Sequence, residues 1–160
     1  MKKQRGFTLV ELIIVMGIIL MLSGFATINL VKQQNTTSVN SSVDVLVSDI
    51  KSQQTKAMAG VKGDLSNNIS FGIYFQSDRY VLFRGTTFSS TDSANFTVFF
   101  DENIAFSDIK FPNNTIVFQV RSGEVSGFAP GGNTLTIQNV SGLEKKTVTV
   151  NRYGVVININ

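Results

Sequence analysis

One carboxylate stands in a stretch that should carry no charge. Glu11 lies within Phe7-Thr8-Leu9-Val10-Glu11-Leu12-Ile13-Ile14-Val15-Met16, a run that is otherwise almost wholly apolar. An ionisable side chain buried in a membrane helix costs on the order of 2.5–3.5 kcal/mol, so it needs a partner or a shallow position. The chemistry open to Glu11 is pairing with a cation; the alternative is that it merely reaches up to the headgroups. Immediately ahead, Gly6 is a small residue between a basic head, Lys2, Lys3 and Arg5, and the apolar run. Cleavage after Gly6 would remove the head and leave the apolar helix attached.

Other chemistry is narrowed by what the chain lacks. It has no cysteine and no histidine, which removes disulfides, thiolate metal sites, thiol nucleophiles and the commonest general base. Asp101-Glu102 is the one adjacent acidic pair; two carboxylates can share a proton or hold a cation, yet a solvated turn explains the pair better. Asp78, Asp92 and Asp108 read as isolated turn acids. Pro130-Gly131-Gly132-Asn133 has no lysine or helix start behind it and reads as a hairpin turn rather than an anion cradle. No catalytic residue, metal or cofactor is expected. An enzyme working with carboxylates alone is the remaining catalytic alternative.

The elements that position Glu11 and Gly6 follow from hydropathy. Residues 12–31 are twenty in a row without a formal charge, a helix of about 30 Å at 1.5 Å per residue, which matches a bilayer's hydrocarbon core. The basic head puts the N-terminus in the cytoplasm and the rest of the chain outside. A secretory signal would have a shorter apolar region ending in its own small-residue cleavage site. Gly17, Ser23, Gly24 and Ala26 are small enough to let membrane helices approach closely.

Polar residues 32–38 mark the membrane exit. Apolar residues then recur at Val39, Val43, Leu46, Val47, Ile50, Ala57 and Val61, the threes and fours of a one-sided helix over about 39–60. Asn35 to Ser42 are weak helix formers that would loosen its join to the span, and Gly60 and Gly63 supply the stop. Beyond them the period becomes two. A hairpin is expected from 69–75 and 80–84, with further strands at 96–100, 104–106, 115–120, 135–139, 147–150 and 155–159, separated by Gly, Pro, Asn and Ser turns. One helix followed by many strands is an α+β layout, with an antiparallel sheet laid over the exported half of a long N-terminal helix.

Gly6-Phe7-Thr8-Leu9-Val10-Glu11 resembles the processing site of type IV prepilins and of the pseudopilins of type II secretion. The hairpin Asp78-Arg79-Tyr80-Val81-Leu82-Phe83-Arg84-Gly85 and the ending Val148-Thr149-Val150-Asn151-Arg152-Tyr153-Gly154-Val155-Val156 are similar to H-type pseudopilins and FimT-like minor pilins. The resemblance implies a pilin fold: a leader peptide at 1–6, a transmembrane and assembly helix at 7–31, and an exported globular domain at 32–160, β-rich from 69. It implies cleavage by prepilin peptidase after Gly6, N-methylation of Phe7 by the same peptidase/methyltransferase, and a role for Glu11 in assembly. Once Phe7 is the terminus, its amine is a cation at a depth where a neighbouring subunit's Glu11 could neutralise it. The implied partners are other pilin or pseudopilin subunits through the N-terminal helix and an inner-membrane assembly platform. The implied location is the inner membrane, single-pass with the C-terminal domain outside, and then a pilus or pseudopilus. The span has no proline, which fits a minor component or pseudopilin rather than a major pilin.

Some FimT-like minor pilins bind DNA through arginines around a C-terminal glycine, so Arg152, with Lys145 and Lys146, is the alternative site, serving natural transformation. Nucleic acid is not the expected partner. Three of the fourteen basic side chains lie in the leader, leaving eleven against eleven acids, and that balance supplies no broad electrostatic footprint. A few phosphate contacts would give salt-sensitive rather than specific binding.

Overall fold

The computed structural model describes residues 8–61, 68–142 and 144–160, with the side chains of 24–37 outside that description. The chain divides into two compact units, one ending at Thr36 and one covering Thr37–Asn160. A single helix assignment, α1 (Leu9–Met58), begins in the first and ends in the second. Asn35 to Ser42, expected to loosen the helix, stay within it.

In the second unit the apolar spacing becomes a buried stripe. Val39, Val43, Leu46, Ile50 and Ala57 are all 3% exposed or less, whereas Val61, expected on the same face, is 43% exposed. The stripe ends because Gly60 takes a positive φ of 63°. Its N–H reaches the carbonyl of Ala57 and that of Val61 reaches Lys56, both at 3.2 Å. These crossed bonds satisfy carbonyls that a helix end leaves open, and a side chain at Gly60 would resist the left-handed turn they require. Gly63, the second expected stop residue, lies outside the described residues.

Among the described residues eight strands follow: β1 (Phe71–Phe75), β2 (Arg79–Arg84), β3 (Phe96–Phe99), β4 (Ile104–Ile109), β5 (Thr115–Phe118), β6 (Thr134–Asn139), β7 (Lys145–Val150) and β8 (Val156–Ile159). They form two four-stranded sheets, ordered β3-β2-β1-β5 and β4-β6-β7-β8, and every pairing is antiparallel. The fold is therefore α+β, a helix packed on antiparallel sheet, but the one sheet of the sequence reading is two. The chain passes between them at residues 100–103, again at Pro112–Asn114, a short 3-10 turn, and again at 119–133. Pro130-Gly131-Gly132-Asn133 is accordingly not a hairpin turn. It lies in the crossover that carries the chain from β5 in one sheet to β6 in the other. Turn chemistry marks a reversal without saying which strands it joins, and partner choice is a tertiary matter.

Alternation decides what each strand buries. Ile73 and Phe75 of β1, Phe106 of β4, Leu135 and Ile137 of β6 and Val148 and Val150 of β7 share one core with the α1 stripe. The Phe75 ring meets Phe106 edge-on at 5.4 Å and Phe111 at 5.7 Å. The N–H of Phe106 donates to the carbonyl of Ser77 in the β1–β2 turn at 2.8 Å, tying the two sheets together. On the other face of β1, Phe83 lies across Gly72, where a Cβ would come within 2.5 Å of its ring.

Candidate functional site

At the start of α1, Thr8 is the cap. Its hydroxyl accepts the Glu11 N–H at 3.2 Å and its carbonyl accepts the Leu12 N–H at 3.2 Å. Thr8 and Glu11 thus occupy the first and last places of a Thr-x-x-Glu capping pattern, in which one orphan N–H of the first turn gains a partner. An acid in that turn also meets the positive end of the helix dipole. The spacing is legible in Thr8-Leu9-Val10-Glu11, yet the sequence reading weighed only the Glu11 side chain, for pairing or for reaching the headgroups, and passed over Thr8. Gly6 and Phe7 lie outside the described residues.

Around Glu11 every large apolar side chain from Leu9 to Leu22 is exposed, between 46% and 74%. Among the described residues no helix is long and apolar enough to cross a membrane. The side chains described in this stretch end at Ser23, so the later part of the expected 12–31 span falls outside the description. What the geometry presents is an apolar cylinder with one carboxylate in its first turn.

The alternative site is dispersed by the fold. Lys145 and Lys146 open β7, and Arg152 lies beyond its far end, on the order of 20 Å away at about 3.3 Å per residue. Lys145 stands opposite Gln138 and Lys146 opposite Ile137, so alternation sends the two lysines to opposite faces. Arg152 faces Glu124 at 3.5 Å.

The turn that carries Arg152 packs instead on the end of α1. The Gln54 side-chain amide donates to the carbonyls of Tyr153 and, at 3.1 Å, Gly123. The Val125 N–H donates to the Arg152 carbonyl at 2.9 Å, and the Arg121 N–H to that of Ala57 at 2.9 Å. Arg121, held at a φ of 68°, and Lys56 therefore lie at the same end of the domain as Arg152. Sequence reasoning missed this grouping, because the residues belong to three distant segments with no shared motif.

The acids likewise serve local structure. Asp78 accepts two hydrogen bonds from the Arg79 guanidinium, at 2.9 and 3.0 Å, which hold its carboxyl below the usual carboxylate range. Asp92 accepts the Ala94 N–H at 2.9 Å and faces Arg84 at 3.4 Å, and its carboxyl is also lowered, chiefly by the backbone bond. Asp101 and Glu102 sit exposed between β3 and β4. The Tyr80 hydroxyl donates to Asp49 at 2.7 Å, and burial first, then this carboxylate, push the phenol's pKa up. Two hollows of about 210 and 320 Å³ adjoin along Thr86, Asn113, Thr115 and Val117, with the Tyr74 phenol their one ionisable lining group. Neither hollow brings carboxylates together for acid–base work.

Residues 1–27 match the family model described as the prokaryotic N-terminal methylation motif. That stretch holds Gly6, Phe7 and Glu11, and the match supports a type IV pilin-like precursor. No curated protein and no solved structure matches the chain.

Proposed function

We propose that this chain is a minor pilin or pseudopilin, a structural subunit rather than an enzyme. It is made as a membrane precursor, cut after Gly6 by prepilin peptidase and N-methylated at Phe7. It is then assembled by helix packing into a type IV pilus or a type II secretion pseudopilus. The observation that carries this reading is the methylation-motif match over residues 1–27, coinciding with a helix that exposes apolar side chains on every side and one carboxylate in its first turn. Apolar surface of that extent is stable only in lipid or against other apolar helices. A subunit that leaves the bilayer for a bundle keeps the surface buried throughout. In that bundle Glu11 takes the Phe7 amine of a neighbour, a pairing that fixes the stagger, and the inner-membrane platform drives the transfer.

The test is the mature N-terminus. Mass spectrometry of protein from its own cells should find a chain beginning at N-methylated Phe7, and Gly6→Leu should leave uncut precursor in the membrane. A protein that still begins at Met1, or mature Phe7 from the Gly6→Leu variant, overturns the proposal. The DNA-binding alternative rests on a narrower base, since the lysines stand far from Arg152 and Arg152 faces an acid; any phosphate track would run over Lys56, Arg121 and Arg152. Retention of the full chain on DNA at physiological salt, lost in Arg121→Ala and Arg152→Ala, would favour it.

A further inference from the structure

A hollow of about 110 Å³ opens beside α1, between Ser41, Ser42 and Val45 of the helix and Val98, Phe99 and Phe100 at the end of β3. Of these, Val45 and Phe99 are 48% and 63% exposed. Tyr80, which is fully buried, and Asp101 complete its lining. From the edge of the hollow, the Arg79 guanidinium lies over the Phe99 ring at 4.9 Å, while its charge is engaged by Asp78. The lining is thus mainly apolar, with two small hydroxyls and one acid, and its volume suits a single aliphatic side chain. It is too small for a cofactor or a drug-sized ligand, which take about 300 Å³ or more.

We infer that this hollow receives one aliphatic side chain from the N-terminal helix of a second copy of the chain, in the manner of a knob entering a hole. The inference rests on the filament-subunit reading and adds to it a specific contact between a globular domain and a neighbour's helix. The occupant follows from this molecule's own surface. Residues 12–22 carry Leu, Ile, Val or Met at all but Gly17, and these side chains point outward around the whole circumference, each more than 45% exposed. Whichever face turns toward a neighbour, it offers a knob of the right size and no charge. The receiving side is shaped for close approach: Ser41 and Ser42 are small where the two helices would cross, and helices separated by small residues can come to the near end of the usual 8–10 Å spacing. Val45 and Phe99 would then lose the exposure they have in the lone chain.

The experiment places a benzophenone-bearing phenylalanine at Phe99 in the full chain, irradiates sheared filaments, and sequences the adduct. The expected product joins position 99 of one copy to residues 9–22 of another. An adduct in the globular domain, an adduct to a different protein or to lipid, or no adduct from chains that are present in the filament overturns the inference while leaving the subunit reading intact. Absence of the correctly processed chain from the filament fraction overturns both. As a second measurement, Ser41→Phe fills the hollow from an exposed position; incorporation should fall at least tenfold while cleavage at Gly6 and the thermal midpoint of the detergent-solubilised chain stay unchanged. Undiminished incorporation of a folded Ser41→Phe chain counts equally against the contact.

Discussion

The Thr8 hydroxyl accepts the N–H of Glu11 at 3.2 Å, so the acidic residue proposed to pair between subunits also belongs to the cap of its own helix. The two roles use different atoms. Capping engages the Glu11 backbone, and its carboxylate remains available to a neighbour's terminal amine.

Substitutions at the two residues should therefore separate. Thr8→Val keeps the shape and removes the acceptor, at a cost of about 1 kcal/mol of helix-end stability. Amide exchange at Glu11 in micelles should accelerate roughly fivefold, the factor that energy corresponds to, with incorporation little changed. Glu11→Ala should leave cleavage after Gly6 intact and impair incorporation into filaments. Normal incorporation of Glu11→Ala would remove the proposed pairing.

A second prediction concerns the bond that joins β2 to the helix. Tyr80→Phe removes the hydroxyl that Asp49 accepts at 2.7 Å, leaving a partly buried carboxylate short of a partner at a cost of about 1–3 kcal/mol, readable as a lower urea midpoint. The phenol's pKa is raised in the fold. Its contribution is thus fully present below the unfolded tyrosine value of about 10 and is lost as pH rises beyond it. Phenolate absorbance should show Tyr80 ionising only as the structure opens, and that late step should vanish in Tyr80→Phe.

At the other end of the domain, Gly154→Ala should be among the most damaging single-methyl additions. Gly154 has a φ of 76°, and a Cβ there would lie 2.5 Å from the Gln54 amide, 2.9 Å from the Gly123 carbonyl and 2.9 Å from the Phe118 ring. The strain of that backbone region, about 1–3 kcal/mol, adds to a displaced Gln54 that no longer joins α1 to both loops. Chemical denaturation should show a loss of at least about 2 kcal/mol, while Gly131→Ala, with open space around its Cβ, should lose less.

The loop after β2 should respond to acid. Asp92 has a lowered carboxyl because it accepts the Ala94 N–H and faces Arg84. A depressed folded value means the carboxylate's contribution is present above the unfolded value of about 3.9 and disappears as pH falls through the folded one. The Ala94 amide resonance should titrate with a midpoint below about 3.9, and Asp92→Ala should abolish that titration. A midpoint at or above 3.9 would contradict the assigned hydrogen bond.

Much of the helix was legible because its burial follows a local period. Val39, Val43, Leu46 and Ile50 lie on one face whatever they pack against, and Gly60, at positive φ, stands where the helix stops, whereas Gly17 and Gly24 lie inside it without ending it. Strand positions were legible for the same reason, since β-branched and aromatic residues between turn formers mark extended chain. Sheet membership was not. The crossover at 130–133 carries the same turn residues a hairpin would, and only the pairing of β6 with β4 and β7 distinguishes the two. The start of β7 was missed because Lys145 and Lys146 have weak strand propensity and are held extended by β6 on the neighbouring side.

What the sequence by itself determined is the local chemistry at the N-terminus: an acid four residues behind a phenylalanine, in an apolar helix whose match to the methylation motif depends on contiguous residues. Contiguity fixes spacing along a helix before any tertiary contact forms. Only the folded structure decided which distant residues meet. It separated Arg152 from the lysines, because strand alternation and strand length act through three dimensions. It also brought Gln54, Gly123 and Tyr153 together and left a hollow between α1 and β3, outcomes of packing two sheets against one helix that no local pattern encodes.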